Sequence, residues 1–205
     1  MRVLETRVYR GPSPYGYRPV IRLTVDLEDL EQYPSGIIPE FNERLLALMP
    51  TLREHGCSYG QPGGFVRRLT ETNDDGSHGT WLGHVVEHIA IEIQCLAGTP
   101  VTYGKTRSVA GRHGVYYVIY SFTEEQVGLE AGELAIDLVR SLLPTEYSSA
   151  MSVDEQADFD FTHALEQLIE RAQEIALGPT TASLVEEARR RGIPAIRLDT
   201  QSLVQ

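Results

Sequence analysis

The chain has 205 residues, of which 41% are hydrophobic and 23% are charged, as in an ordinary soluble globular protein. This length allows one well-packed domain with an accessory segment but falls short of two full domains. The formal net charge of −11 repels nucleic-acid phosphates, and the basic clusters are short, so we expect no nucleic-acid partner.

Apolar runs are too short to span a bilayer, and no secretory signal is evident, which predicts no membrane association. The two cysteines, Cys57 and Cys95, form no CxxC pair, so we expect reduced thiols and a cytoplasmic location.

The first third of the chain predicts two strands, a helix and a third strand. Strands are expected over residues 3–9 and 19–27, the second because apolar and polar residues alternate. A helix is expected over residues 39–54, with a core-facing stripe of Phe41, Leu45, Leu46, Leu48 and Leu52. After a glycine-rich loop at residues 56–64, a third strand is expected over residues 65–70.

The middle of the chain predicts two longer helices around a strand. The first helix is expected over residues 80–97, and residues 114–122 are rich in β-branched and aromatic residues, which favours a strand. A capping box, Thr123-Glu124-Glu125-Gln126, indicates the start of a helix that runs to about residue 143. The order ββαβαβα predicts an α+β fold, with a mixed or antiparallel sheet packed against helices.

The C-terminal quarter predicts a break in the domain. The composition turns polar over residues 146–160, which is typical of a linker. Two helices and a strand are expected after it, over residues 161–177, 182–191 and 194–198. Such a unit has no sheet of its own to join. We therefore predict an N-terminal domain over residues 1–145 and the start of a truncated second domain over residues 161–205.

The helix expected over residues 80–97 brings together three residues that can bind a metal or take part in catalysis. At about 100° per residue, His84, Glu87 and His88 fall on one side of it. The opposite side is apolar, with Leu82, Val85, Val86, Ile89, Ile93 and Leu96. Histidines one turn apart can bind one zinc ion, and the glutamate between them can act as a general base while the metal polarises a carbonyl. This is the His-x-x-Glu-His order of inverted metalloprotease motifs. A buried histidine–glutamate network and a solvated polar face are the alternatives.

A hydrolytic zinc site usually needs a third protein ligand. The candidates are Glu92, His78, Glu124, Glu125 and Glu130. We favour Glu125, because inverted motifs generally take their last ligand from a downstream helix. Acidic residues in a first helical turn also simply complement the helix dipole, so this choice stays open. Cys57 in the glycine-rich loop is a further residue that can lie near the site.

The basic residues that follow this helix are candidates for substrate binding. Lys105, Arg107 and Arg112 can hold a carboxylate-bearing substrate, or they can be ordinary surface charges. The acidic surface of the whole chain suits a cationic or arginine-bearing ligand, but net charge alone does not identify one.

Short motifs along nearly the whole chain match one known family. They include RGP (10–12), IPEF (38–41), LREHGCS (52–58), GGF (63–65), GTWLGHVVEHIA (79–90), YGKTR (103–107) and EEQVG (124–128). In series, these motifs resemble the N-terminal region of cyanophycin synthetases. The segments LGPTTA (177–182) and RGIP (191–194) resemble the beginning of that family's ATP-grasp module.

The resemblance implies a piece of an ATP-dependent ligase that polymerises aspartate and arginine. The ligase centres, with their ATP and magnesium, are then expected beyond residue 205, and a homo-oligomer is expected at full length. The N-terminal domain is expected to bind cyanophycin, a polymer with an aspartate backbone and arginine side chains. In some members it is also a zinc-dependent, peptidase-like hydrolase that cuts the polymer to make primers. The alternative is a non-catalytic module that only tethers the polymer.

The resemblance also implies roles for individual residues. The expected metal ligands are His84 and His88, completed by Glu125, while Glu87 is expected to be the catalytic base. Substrate binding is expected at Lys105 and Arg107, and no cofactor besides zinc is expected within this chain. Two features depart from the family pattern: residues 72–77 resemble an insertion beside the site, and Lys105 replaces an arginine, which loses bidentate recognition of a carboxylate.

Overall fold

The scaffold of the protein is a four-stranded antiparallel sheet. The computed structural model describes residues 1–57, 60–74, 76–147, 159–199 and 201–205. Its strands are β1 (Arg2–Tyr9), β2 (Val20–Asp26), β3 (Gly104–Ser108) and β4 (Val115–Ser121). They lie in the order β1-β2-β4-β3, so that β1 and β3 form the two edges of the sheet.

Six α-helices are assigned within these described ranges. They are α1 (Phe41–Leu48), α2 (Gly64–Thr70), α3 (Leu82–Leu96), α4 (Glu125–Leu142), α5 (Phe161–Glu174) and α6 (Pro179–Arg190). Helices α3 and α4 pack against each other and against the strands. One face of the sheet packs against these helices. It carries alternate strand residues that belong to the same hydrophobic core, Ile21, Leu23, Val25, Val118 and Tyr120. The predicted α+β fold with an antiparallel sheet is therefore confirmed.

Residues 65–70 form helix α2, and the predicted third strand was wrong. Phe65 and Leu69, one helical turn apart, are both fully buried. Gly63 precedes the helix with a φ of +84°, a left-handed conformation that glycine adopts without strain. An apolar stretch of six residues is too short for its periodicity to separate a strand from a helix.

Strand β3 was not predicted. Its sequence, Gly-Lys-Thr-Arg-Ser, is short and polar and has little intrinsic strand preference. It forms because it pairs along its whole length with β4, from Gly104 opposite Tyr120 to Ser108 opposite Tyr116. The order of elements therefore differs from the predicted ββαβαβα.

The helix predicted over residues 39–54 is interrupted. Helix α1 ends at Leu48, and a 3₁₀ helix over Pro50–Glu54 follows. Pro50 has no backbone N–H to continue the helical bonding, and it favours the first position of a new turn. As a result Leu48 is 45% exposed and lies outside the core, while the other four residues of the predicted stripe are buried.

The starts of two later helices also differ from prediction. Helix α4 begins after Glu124 with no side-chain capping bond, so the predicted capping box at residues 123–126 does not form. Helix α6 begins at Pro179, three residues before the predicted start, because proline is well suited to a first helical position.

The C-terminal segment packs on helix α4. Phe161, Leu168 and Ala172 of α5 belong to the common hydrophobic core, and Arg171 pairs with Glu130 of α4 at 2.8 Å. The strand predicted over residues 194–198 is reduced to an isolated antiparallel bridge. Its backbone forms hydrogen bonds with residues 203–205. Most of the predicted linker, residues 148–158, lies outside the described residues, and the predicted domain boundaries stay a prediction. In the described part of the chain no helix is long and apolar enough to cross a membrane.

Candidate metal centre

Helix α3 is buried on nearly all sides, including the side predicted to carry the chemistry. Glu87 and His88 are each only 5% exposed. They line a cavity of about 770 Å³, together with His84, residues 54–57 and the edge strand β3. The alternative of a solvated polar face is therefore wrong, since Glu87 and His88 are almost completely buried. A groove with a few convergent polar groups is the usual setting of a ligand site.

Three side chains in this cavity form a set that can hold a metal ion. Candidate ligand atoms of Cys57, His84 and His88 all lie within 4.8 Å of one another. The sulfur of Cys57 is 3.3 Å from Nε2 of His84, although the two residues are 27 positions apart in sequence. Among the described residues this is the one cluster of that kind. The structure thus joins the two predicted histidines to a cysteine.

The structure places the predicted third ligand, Glu125, outside this centre. Its two carboxylate oxygens accept hydrogen bonds from Nε and Nη2 of Arg10, each at 2.5 Å. Three other candidates are engaged elsewhere: Glu124 with Arg197, Glu130 with Arg171, and His78 with Thr72. The sequence signal for Cys57 was weak because a single cysteine in a glycine-rich loop is common, but a thiolate is a preferred zinc ligand.

A third histidine, His55, which sequence analysis missed, supports the centre. His55 Nδ1 is 2.9 Å from Nδ1 of His88, and His55 Nε2 is 2.7 Å from a carboxylate oxygen of Glu92. The ring of Phe65 stacks on His88 at a centroid distance of 4.1 Å. Histidine ligands of metals are usually oriented by such a carboxylate-linked partner.

The hydrogen bonds link the tautomer of His88 to the proton positions of His55. Burial raises the pKa of Glu92, but hydrogen bonds from His55 and Thr51 outweigh it, and the net pKa is lowered. An ionised Glu92 only accepts, so His55 Nε2 must donate to it. If Nδ1 of His55 carries no proton, it accepts a hydrogen bond from Nδ1 of His88. In that arrangement Nε2 of His88 carries the lone pair, which is the form that binds a metal.

Burial sets the protonation of the charged groups in the cavity. It lowers the pKa of His84 to about 4, with help from the positive charge of Arg68. It also holds the pKa of His88 well below its ordinary value, with further contributions from His84 and His55. Both imidazoles are thus neutral near pH 7, as metal binding requires.

Glu87 is the carboxyl group of the cavity best suited to proton transfer. Burial raises its pKa to about 7, although a hydrogen bond from Thr106 lowers it in part. That bond, from Thr106 Oγ1 to Glu87 Oε2, measures 2.6 Å and fixes the carboxylate against strand β3. A carboxyl group with a pKa near the working pH is effective as both proton acceptor and proton donor.

Gly104 makes room for Glu87. A Cβ atom at this position would lie 2.7 Å from both Cγ and Cδ of Glu87, and nearer still to Oε1. We therefore expect Gly104→Ala to destabilise the protein by about 1–3 kcal/mol, as overpacking does, and to displace the carboxylate. Chemical denaturation measures the loss. Gly11→Ala is the matched control, because nothing lies within 4 Å of a Cβ there; an equal effect of the two substitutions would contradict the steric explanation.

Of the two predicted substrate-binding residues, only one lies at the cavity that contains Glu87. Lys105 contributes to the lining of the cavity, whereas Arg107 does not and is exposed. Arg68, which sequence analysis did not select, also lines the cavity, and it pairs with Glu71 at 2.5 Å. The predicted insertion at residues 72–77 contributes Asn73 to the cavity rim.

The fold and the site together define an α+β domain with a partly buried cysteine–histidine cluster beside a buried carboxylate. The family model of the cyanophycin synthase-like N-terminal domain matches residues 22–144. The chain therefore belongs to this family, which confirms the resemblance found in its motifs.

Three curated relatives align with the whole chain. It is 39% identical to the cyanophycin synthetase of Synechocystis sp., 38% to that of Geminocystis herdmanii and 37% to that of Crocosphaera subtropica, each over 207 residues. In each case the chain covers 22% of the relative, so it spans about a fifth of the length of these proteins.

Proposed function

We propose that this chain is the N-terminal part of a cyanophycin synthetase, and that it binds cyanophycin and cleaves it by metal-dependent hydrolysis to make primers. The observation that carries the proposal is the buried Glu87 in one cavity with Cys57, His84 and His88. The ATP-dependent ligase activity, its ATP and magnesium sites and the assembly into a homo-oligomer then belong to the full-length enzyme. Cys57 and Cys95 are thiols that form no disulfide, which fits action in the reducing cytoplasm.

The donor set fits zinc. One thiolate and two imidazole nitrogens are soft and borderline ligands, which zinc prefers and which magnesium and calcium do not. Three protein ligands with one open position are the usual pattern of a catalytic zinc site. When bound, zinc would polarise the carbonyl of the bond to be cleaved.

The residues of the chain supply the remaining chemistry. Glu87 accepts a proton from the attacking water and passes it to the leaving amine, so that one amide bond becomes a carboxylate and an amine. Thr106 holds the carboxylate in place during both transfers. Lys105 at the cavity edge pairs with an acidic group of the polymer. The burial of Glu87 strengthens its electrostatic interactions by limiting solvent screening.

Polymer length tests this function directly. We expect the zinc-loaded chain to shorten cyanophycin and to generate new amino termini over time. A chelator should stop the reaction, and added zinc should restore it. Gel electrophoresis of the polymer, with quantification of amino groups, provides the measurement. If the zinc-loaded chain binds the polymer and leaves its length unchanged, the hydrolase proposal is wrong and a tethering module is the function that remains.

A further inference from the structure

The outer face of the sheet, which points away from α3 and α4, concentrates positive charge. Residues directly opposite in neighbouring antiparallel strands share a face. The strand register aligns one row across all four strands, Arg7–Arg22–Ile119–Lys105, and the next row along, Glu5–Thr24–Tyr117–Arg107. Two adjacent rows thus hold four cations and one anion, in a chain whose net charge is −11.

The positive charge of this face is only partly neutralised. The single acidic residue, Glu5, is shared between Arg7 at 2.7 Å and Arg22 at 2.5 Å. Lys105 and Arg107 make no ion pair with any other described residue. Arg22 is only 8% exposed. The capacity of the face to bind anionic groups therefore comes from the more accessible cations, Arg7, Lys105 and Arg107.

Tyrosine rings accompany these cations. The guanidinium of Arg22 lies 4.5 Å from the ring centroid of Tyr117, and that of Arg18 lies 4.4 Å from the ring centroid of Tyr103. Tyr17, in the loop after β1, is 90% exposed. Tyrosine and arginine dominate the energetically important positions of binding surfaces, because they offer large contact areas with polar ends.

The basic face is continuous with the cavity across strand β3. Lys105 lies on the outer face and also contributes to the cavity lining. The next residue, Thr106, points to the inner face and donates its hydrogen bond to Glu87. Since β3 is an edge strand, an extended chain can lie on the outer face and pass over this edge to the carboxylate.

We propose that the outer sheet face, through the cations Arg7, Lys105 and Arg107, binds carboxylate groups of a polymer segment and directs the neighbouring segment over β3 to Glu87. This inference rests on the proposed function for the identity of the polymer. Four strands and two rows give a patch of about 14 by 7 Å, which matches a short polymer segment. A long nucleic acid does not fit as well, because the rest of the chain is strongly acidic and repels its phosphates.

Charge reversal on the face tests the proposal. The double variant Arg7→Glu with Arg107→Glu replaces two exposed cations of the face. The matched control, Arg189→Glu with Arg190→Glu, makes the same change of net charge at exposed positions near the end of α6. We expect the face variant to lose at least about tenfold in affinity for both poly-L-aspartate and cyanophycin at physiological salt, and the control to stay within about twofold of wild type.

The outcomes separate this inference from the proposed function. Equal losses in both double variants, or no loss in either, would overturn the assignment of the face, as would tighter binding of a single-stranded RNA oligonucleotide than of both polymers. Wild type that binds neither polymer would overturn it as well. If wild type binds poly-L-aspartate through the face but never shortens cyanophycin, the face stands and the hydrolase proposal fails. Circular dichroism and zinc content, equal across the three proteins, establish that the variants are folded.

Discussion

Glu87→Gln is expected to slow the cleavage of cyanophycin by about 10²–10⁴-fold, the range for loss of a general base. Glutamine keeps the shape of the side chain, and its amide oxygen can still accept the hydrogen bond that Thr106 now gives to Oε2. It cannot take up a proton, however. The zinc affinity and the affinity for the polymer should therefore stay close to the wild-type values. Single-time-point digests do not suffice, so initial rates of amino-terminus release are the measurement.

A second glutamate in the same cavity provides the control. Glu54 lines the cavity but is exposed. We expect Glu54→Gln to change the cleavage rate by no more than about threefold, because a solvated carboxylate at the rim has no proton-transfer role. Retention of more than a tenth of the wild-type rate in Glu87→Gln, or an equal loss in both variants, would contradict the assignment of Glu87 as the base.

The parts of the site that could be predicted are those that one helix contains. The long apolar periodicity of α3 predicted its position to within two residues at each end, and the spacing of His84, Glu87 and His88 then fixed their common side. Strands β2 and β4 followed from their alternating or β-branched sequences. In each case the local sequence and the tertiary environment favour the same structure.

The parts that could not be predicted depend on contacts between distant residues. Cys57 and His55 reach α3 from a segment about 30 positions earlier, and nothing in their local sequence indicates that approach. The same holds for β3, whose polar sequence becomes a strand only by pairing with β4. Glu125 is the opposite case: its position at the start of a downstream helix suggested a ligand, whereas the fold pairs it with Arg10.

Cys57→Ser and His84→Ala are each expected to weaken zinc binding by more than about 100-fold. This loss exceeds the roughly 10–100-fold loss that is typical when a residue that only orients a metal ligand is removed. The reason is that each substitution removes one of the three donor atoms that lie within 4.8 Å of one another. Serine keeps the size of Cys57, but its hydroxyl is a poor zinc ligand. Competition with a chromophoric chelator gives the affinity of each variant.

Cys95→Ser and Glu125→Gln are the controls that make this result specific. Cys95 is a second half-buried thiol in the lining of the same cavity, but it lies outside the cluster and donates to the carbonyl of Val101. Glu125 is the ligand that the sequence favoured. We expect both variants to bind zinc as wild type does and to gain thermal stability on adding zinc, since a ligand that binds only the folded state stabilises it. Loss of zinc in Glu125→Gln with full retention in Cys57→Ser would instead require a centre built on helix α4, and the cysteine–histidine cluster would then have no role in holding the metal.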